Sequence, residues 1–116
     1  MRKQTSTNYL NEQLLREACP FNRVLNLLGS RWKAAILWKA HRVGSRRFSD
    51  FKSTVPDVSD KMLSRSLREL VETGLLTKHL ESRRPLIVTY ALTEHGRSLL
   101  PILQAMDEWG LQSAPG

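Results

Sequence analysis

The sequence predicts a mainly α domain that carries one small β-hairpin. Three observations lead there. Apolar residues recur at helical spacing over most of the chain, from Phe21 to Leu28, Arg31 to Ala40 and Leu63 to Val71. The period changes to that of strands only between Leu76 and Leu92, on either side of a polar, basic loop. A short helix, a tight turn at Pro56-Asp57-Val58 and a longer helix with a basic outer face come immediately before that change.

Length, charge and cysteine content narrow the class. The 116 residues suit one domain with short extensions. No apolar run approaches the length needed to span a bilayer, and the polar N-terminus carries no cleavable leader, so a cytoplasmic protein without a membrane partner is expected. The net charge is +7, and it is uneven. Between Arg31 and Lys52 there are seven cations (Arg31, Lys33, Lys39, Arg42, Arg46, Arg47, Lys52) and one acid, Asp50, which suggests a polyanionic partner. The single cysteine, Cys19, excludes an intrachain disulfide.

In chain order, Met1 to Ala18 reads as an N-terminal extension. Within it Tyr9, Leu10 and Leu14 mark an amphipathic helix whose stripe needs a partner surface. Cys19-Pro20 opens the next helix, with proline at the first helical position and Cys19 at or next to the N-cap. Its apolar face is Phe21, Val24, Leu25 and Leu28, and Gly29 ends it. Arg31 to Ala40 forms a further helix through Trp32, Ala35, Ile36 and Lys39, and His41 to Ser45 reads as a break. Arg46-Arg47-Phe48 reads as a short extended segment. Ser49 is placed to cap a brief helix from Asp50 to Thr54, with Phe51 and Val55 inward.

The central helix follows Ser59, its N-cap, and closes at Gly74 in a left-handed conformation. Leu63, Leu67, Leu70 and Val71 share one face, and Lys61, Ser64, Arg65 and Arg68 the other. Leu76 to Leu80 and Leu86 to Leu92 read as strands around the loop Glu81 to Pro85. Thr93 caps a last helix in which Leu99, Ile102, Leu103, Met106 and Trp109 cover an arc too broad for one small core. Pro101 should kink that helix or start it afresh. Residues 110–116 read as a flexible tail. The winged helix-turn-helix domain, including its C-terminal helix, is thus assigned to residues 19–109, and the apolar surface left over on the N- and C-terminal helices makes them candidate dimerisation helices.

These residues also carry a family resemblance. Cys19-Pro20, Gly29-Ser-Arg-Trp32-Lys33, Arg47-Phe48-Ser-Asp-Phe51, Ser59-Asp-Lys61-Met-Leu63-Ser-Arg-Ser-Leu67-Arg68-Glu69-Leu70, Gly74-Leu75-Leu76 and Tyr90-Ala-Leu92-Thr93-Glu-His-Gly96 occur in order. The series resembles the HxlR family of winged-helix transcriptional regulators, relatives of the MarR type. What the resemblance implies is a homodimer that binds palindromic double-stranded DNA and, in several members, responds to oxidants or electrophiles through a cysteine matching Cys19. The long extension before Cys19 and the polar His41-Arg42-Val43 depart from the usual pattern.

Candidate sites follow. Lys61, Ser64, Arg65 and Arg68 are placed to meet bases and phosphates in the major groove, with Ser59 on a phosphate. Asp60 suits the helix dipole but would repel a phosphate. Arg83 and Arg84 at the wing tip suit the minor groove, and Arg46 and Arg47 suit flanking phosphates. Cys19, at a helix N-terminus near Arg16 and Arg23, reads either as a redox sensor open to an oxidant or small-molecule effector, or as a small buried apolar residue. Tyr9, Leu10, Leu14, Leu99, Ile102, Leu103, Met106 and Trp109 are assigned to a dimer interface. His41, His79 and His95 have no ligand spacing, so no metal, cofactor or catalytic residue is expected. The alternatives are a winged-helix protein-interaction module without specific DNA binding, and a small thiol enzyme for which no acid–base partner can be named.

Overall fold

Leucines spaced for burial explain where the core lies. In the computed structural model, which describes residues 19–29, 31–43, 45–55 and 57–113, Leu63, Leu67 and Leu70 of one helix are at most 1% exposed. Around them close Ile36, Leu37, Ala40, Phe51, Val55, Val58, Leu75, Leu76, Leu92, Leu99 and Leu103. The described elements are α1 (Pro20–Leu28), α2 (Arg31–Val43), β1 (Ser45–Arg47), α3 (Phe48–Thr54), α4 (Asp60–Glu72), β2 (Leu76–Arg83), β3 (Leu86–Leu92), α5 (Glu94–Arg97) and α6 (Leu100–Gln112). The strands form one antiparallel sheet in the order β1-β3-β2. Mainly α with a wing is therefore the observed class, and a three-residue strand joins the hairpin as a third member.

By packing, the chain divides into two compact units, Met1–Ser30 and Arg31–Gly116. The reason lies in α1. It begins as expected, with Cys19 extended at the N-cap and Pro20 in the first turn, but it has no buried residue: Phe21 is 69% and Leu25 54% exposed. Tyr9, Leu10 and Leu14 fall outside the described residues.

In the second unit α2 runs on to Val43, through the expected break at His41. The His41 ring stacks on Trp38 with centroids 4.6 Å apart, and its Nδ1 lies 2.8 Å from the Trp38 carbonyl, so a polar side chain is accommodated on the helix. Its buried positions are Ile36, Leu37 and Ala40, whereas Lys39 is half-buried. Helix α3 begins at Phe48, two residues before the expected Asp50. The Asp50 carboxylate reaches back to accept the Arg47 N–H at 2.9 Å, which caps the helix in place of Ser49.

The turn from α3 to α4 is built from Val55 and Val58, both buried, and Asp57, which takes a left-handed φ of 62°. Asp tolerates that conformation better than most residues with a Cβ. Lys52 pins it: its ammonium donates to the Val58 carbonyl and pairs with Asp60 at 3.2 Å. Helix α4 is then capped at both ends as its sequence dictates. Ser59 Oγ accepts the Met62 N–H at 3.1 Å. Gly74, at φ 80°, donates to the Val71 carbonyl while Leu75 N–H returns to Leu70, and both leucines are buried.

The wing is longer and its tip tighter than expected. A bulge at Glu81, whose carboxylate accepts the Thr89 hydroxyl at 3.0 Å, lets β2 pair as far as Arg83, and only Arg84-Pro85 turns. Thr93 joins the sheet to the last helices. Its hydroxyl donates to the Gly74 carbonyl at 2.6 Å and accepts the Gly96 N–H at 2.9 Å, while its N–H donates to the Leu75 carbonyl at 3.1 Å. Pro101 starts the helix afresh at α6, separate from the short α5. Helix α6 continues through Gly110 to Gln112, so the expected tail is helical in its first residues, since a glycine near a helix end weakens the helix without stopping it.

Candidate nucleic-acid interface

Helix α4 is held by its inner face and presents its outer one. Leu63, Leu67 and Leu70 anchor it, together with Ser66, which is 2% exposed. Ser66 was not among the expected core positions; a residue that small fits where the helix approaches its neighbours closely. Lys61, Ser64, Arg65 and Arg68 are all exposed, as is Ser59. Val71, expected on the leucine face, is half-buried at its edge.

Two acids of α4, Asp60, which the sequence marks as a repulsion to phosphate, and Glu69, are paired with cations. Asp60, at the N-terminal end of α4, is paired with Lys52. Glu69 accepts Lys33 at 3.0 Å through Oε1 and the Arg65 Nε–H at 3.2 Å through Oε2. The Lys33 hydrogen bond, then the Arg65 one, hold its carboxyl below the usual glutamate range. Two cations of the basic Arg31–Lys52 stretch, the largely buried Lys33 and the exposed Lys52, are thus engaged in ion pairs of the protein's own. Sequence offers no signal for this, because each pair joins different elements.

Between α4 and the sheet runs an open groove of about 330 Å³, lined by Ser64, Arg68, Val71, Glu72, Lys78 and Tyr90. Its floor follows from the register. Arg46, Tyr90 and Lys78 lie opposite one another on β1, β3 and β2, so their side chains share a sheet face. Tyr90 meets the buried Phe51 edge-on at 6.4 Å, and burial raises its hydroxyl above the ordinary tyrosine value. Lys78 and Tyr90 were not among the expected site residues; they become neighbours of Arg68 only through strand pairing.

The two arginines of β1 part company. Arg47 is exposed, whereas Arg46 is half-buried, with an enclosed Nε that has no hydrogen-bond partner among the described residues. Enclosure closes that one donor of Arg46 off from solvent. Arg83 and Arg84 are both exposed at the wing tip. Among the described residues no cluster of His, Cys, Asp or Glu can hold a metal ion, and no helix is long and apolar enough to cross a membrane.

Helix α6 has a different outer face. Leu99 and Leu103, expected at a subunit contact, are 8% and 4% exposed in a single chain and belong to its own core. Ile102, Met106 and Trp109, spaced at about one helical turn, are 48%, 53% and 70% exposed. Cys19 is a half-buried free thiol.

Comparison with known proteins agrees with this architecture. Residues 27–115 match the HxlR-like helix-turn-helix family model. The HTH-type transcriptional regulator YdzF of Bacillus subtilis (strain 168) is 35% identical over 102 residues, 88% of this chain and 94% of that protein. Among solved structures, the redox regulator HypR in its oxidised form aligns with a TM-score of 0.78 at 34% identity, covering 84% of this chain and 100% of that one. The reduced form of the transcriptional regulator YodB from B. subtilis aligns with a TM-score of 0.69 at 33% identity, covering 83% and 94%. With a recognition-type helix, a basic wing and similarity over most of its length, this chain belongs to the HxlR family of winged helix-turn-helix transcriptional regulators and is not an enzyme.

Proposed function

We propose that the protein is a sequence-specific DNA-binding regulator that acts as a homodimer on a palindromic operator and responds to oxidants through Cys19. The observation that carries the DNA reading is α4, whose leucine face is sealed while Lys61, Ser64, Arg65 and Arg68 stand exposed beside a wing tipped with Arg83 and Arg84. In this reading two α4 helices enter major grooves about one helical turn apart, roughly 34 Å, which matches the two-fold symmetry of a palindrome. Arg65 and Arg68 read base edges, Lys61, Ser59 and Ser64 meet phosphates or bases, and the wing arginines enter the minor groove. Arg47, with a smaller share from Arg46, holds a flanking phosphate.

The exposed Ile102, Met106 and Trp109 stripe supports dimerisation, because a two-fold axis laid along it buries the same apolar patch on both copies. The helical spacing of Tyr9, Leu10 and Leu14 supports a subunit contact from sequence alone. For Cys19, the redox regulator HypR supports the reading by likeness. Two Cys19 thiols, or one and a small thiol, give up two electrons and two protons to an oxidant such as diamide and form a disulfide. A small change in the spacing of the recognition helices then weakens binding to a fixed operator.

The test is binding of purified protein to its own upstream intergenic DNA and to duplexes selected from a random pool, with competitor, at several salt concentrations, with and without diamide. Competitor-resistant binding with a steep salt slope is expected. Loss with diamide, reversed by reductant and absent in Cys19→Ser, is expected of the sensor. Weak binding that random DNA competes away overturns the DNA reading in favour of a protein-interaction module, and equal diamide release in Cys19→Ser overturns the sensor.

A further inference from the structure

The charged groups around α4 are graded in exposure. The Lys33 side chain on α2 is 13% exposed, Glu69 on α4 is 30% and Arg65, one turn earlier, is 61%. A single carboxylate links them: Oε1 takes the Lys33 ammonium at 3.0 Å and Oε2 takes the Arg65 Nε–H at 3.2 Å. We propose that Glu69 is a positioning residue for DNA recognition, anchored by Lys33, that presents the guanidinium of Arg65 to a guanine. The proposal rests on the reading that Arg65 contacts a base.

The donor inventory of arginine supports it. Of its five N–H groups, Glu69 occupies the one on Nε and leaves the four on the two terminal nitrogens. Those two nitrogens are the pair that meets guanine O6 and N7 end-on. Holding Nε fixes the plane of the guanidinium before DNA arrives, so less side-chain freedom is lost on binding. Charge is conserved where it matters. Lys33 cancels the Glu69 carboxylate from behind, on the side away from the exposed face, so Arg65 keeps an undiminished positive charge toward the phosphates. The lowered carboxyl keeps Glu69 ionised at neutral pH. An exposed i, i+4 ion pair with no other role contributes little, and its loss leaves base discrimination unchanged.

Glu69→Gln separates the two. The neutral amide keeps the size of the side chain but cannot accept from both cations. Operator affinity is expected to fall by about fivefold to tenfold, while affinity for random duplex DNA holds or rises because a negative charge near the phosphates has been removed. Lys33→Met, which cuts the anchor without touching α4, is expected to lower the same operator-to-random ratio by about threefold. In an Arg65→Ala background, Glu69→Gln is expected to change that ratio no further. Replacing the contacted guanine by 7-deazaguanine, which lacks the N7 acceptor, is expected to cost Glu69→Gln less than it costs the parent. Thermal midpoints of each variant, together with its random-DNA affinity, establish that the protein remains folded. If Arg65→Ala lowers the ratio and Glu69→Gln does not, the positioning role is wrong and the Arg65 contact stands. If Arg65→Ala itself keeps the parent's ratio, both fall.

Discussion

Helices α4 and α6 each run for 13 residues, and each buries one side while exposing the other. They differ in what the exposed side is made of. On α4 it is Lys61, Ser64, Arg65 and Arg68, a surface water solvates at no cost. On α6 it is Ile102, Met106 and Trp109, with Leu111 beyond at 72% exposure. Leaving such side chains in water forfeits about 25 cal/mol for every Å² that a partner could cover. The first helix is structurally finished and needs a ligand only for function. The second carries an apolar face that would gain from being covered. Mutations on the two outer faces should therefore fail in different assays.

The largest expected effect is on α4. Arg65→Ala with Arg68→Ala should lower affinity for the selected operator by about a hundredfold or more, while the midpoint of urea unfolding stays close to the parent's because neither side chain is in the core. A double variant that unfolds more easily would break the distinction between a solvated and a structural face. Leu67→Ala, on the inner face of the same helix, should cost about 2–5 kcal/mol of stability in denaturant titrations, the range for a buried leucine. Met106→Ser with Trp109→Ser should weaken self-association by roughly tenfold or more in sedimentation equilibrium, as loss of an interfacial tryptophan commonly does, with folding of the unit retained. An unchanged dimer would mean that another surface covers the pair. Gly74→Ala should cost about 1 kcal/mol, because φ is 80° there although a Cβ would meet nothing within 4 Å. The smallest effect belongs to Glu69. Its folded carboxyl is lowered, so its ion pairs contribute fully above the ordinary glutamate range. That contribution should fade as pH falls through the lowered value, seen as a parent-minus-Glu69→Gln difference in urea midpoint that shrinks in acid.

The same contrast explains what the sequence made legible. Signals that act within a few residues could be read directly: Ser59 as a cap, Gly74 as a left-handed stop, Pro101 as a kink or a new helix start, the leucine period of α4 and the change of period into the wing. Where the expectation slipped, a contact with no signature in the residue period had decided the matter. The Asp50 carboxylate displaced Ser49 as the cap by reaching back to Arg47. The bulge at Glu81 carried strand pairing into the expected loop. Leu99 and Leu103 counted equally with Ile102 and Met106 on a helical wheel, and only packing within the unit sorted them. Among the site residues, the exposed face of α4 was legible because its periodicity is local. Lys33, Lys52 and Lys78 were not, since one basic residue looks like another until the fold brings it to Glu69, to Asp60 or to the groove beside Tyr90.

Thr93 uses its hydroxyl in both senses at one junction, donating a hydrogen bond to the Gly74 carbonyl and accepting one from the Gly96 N–H. A Cβ at Gly96 would lie 2.2 Å from the Leu75 carbonyl oxygen, the same oxygen that accepts the Thr93 N–H. The exit of α4 and the entry of α5 are therefore riveted backbone to backbone, with no slack to absorb a twist. The hydrogen of Gly96 thus acts as a spacer: any larger side chain there must push α5 off the Leu75 carbonyl, so one missing methyl group sets how closely the end of α4 and the last helices can approach.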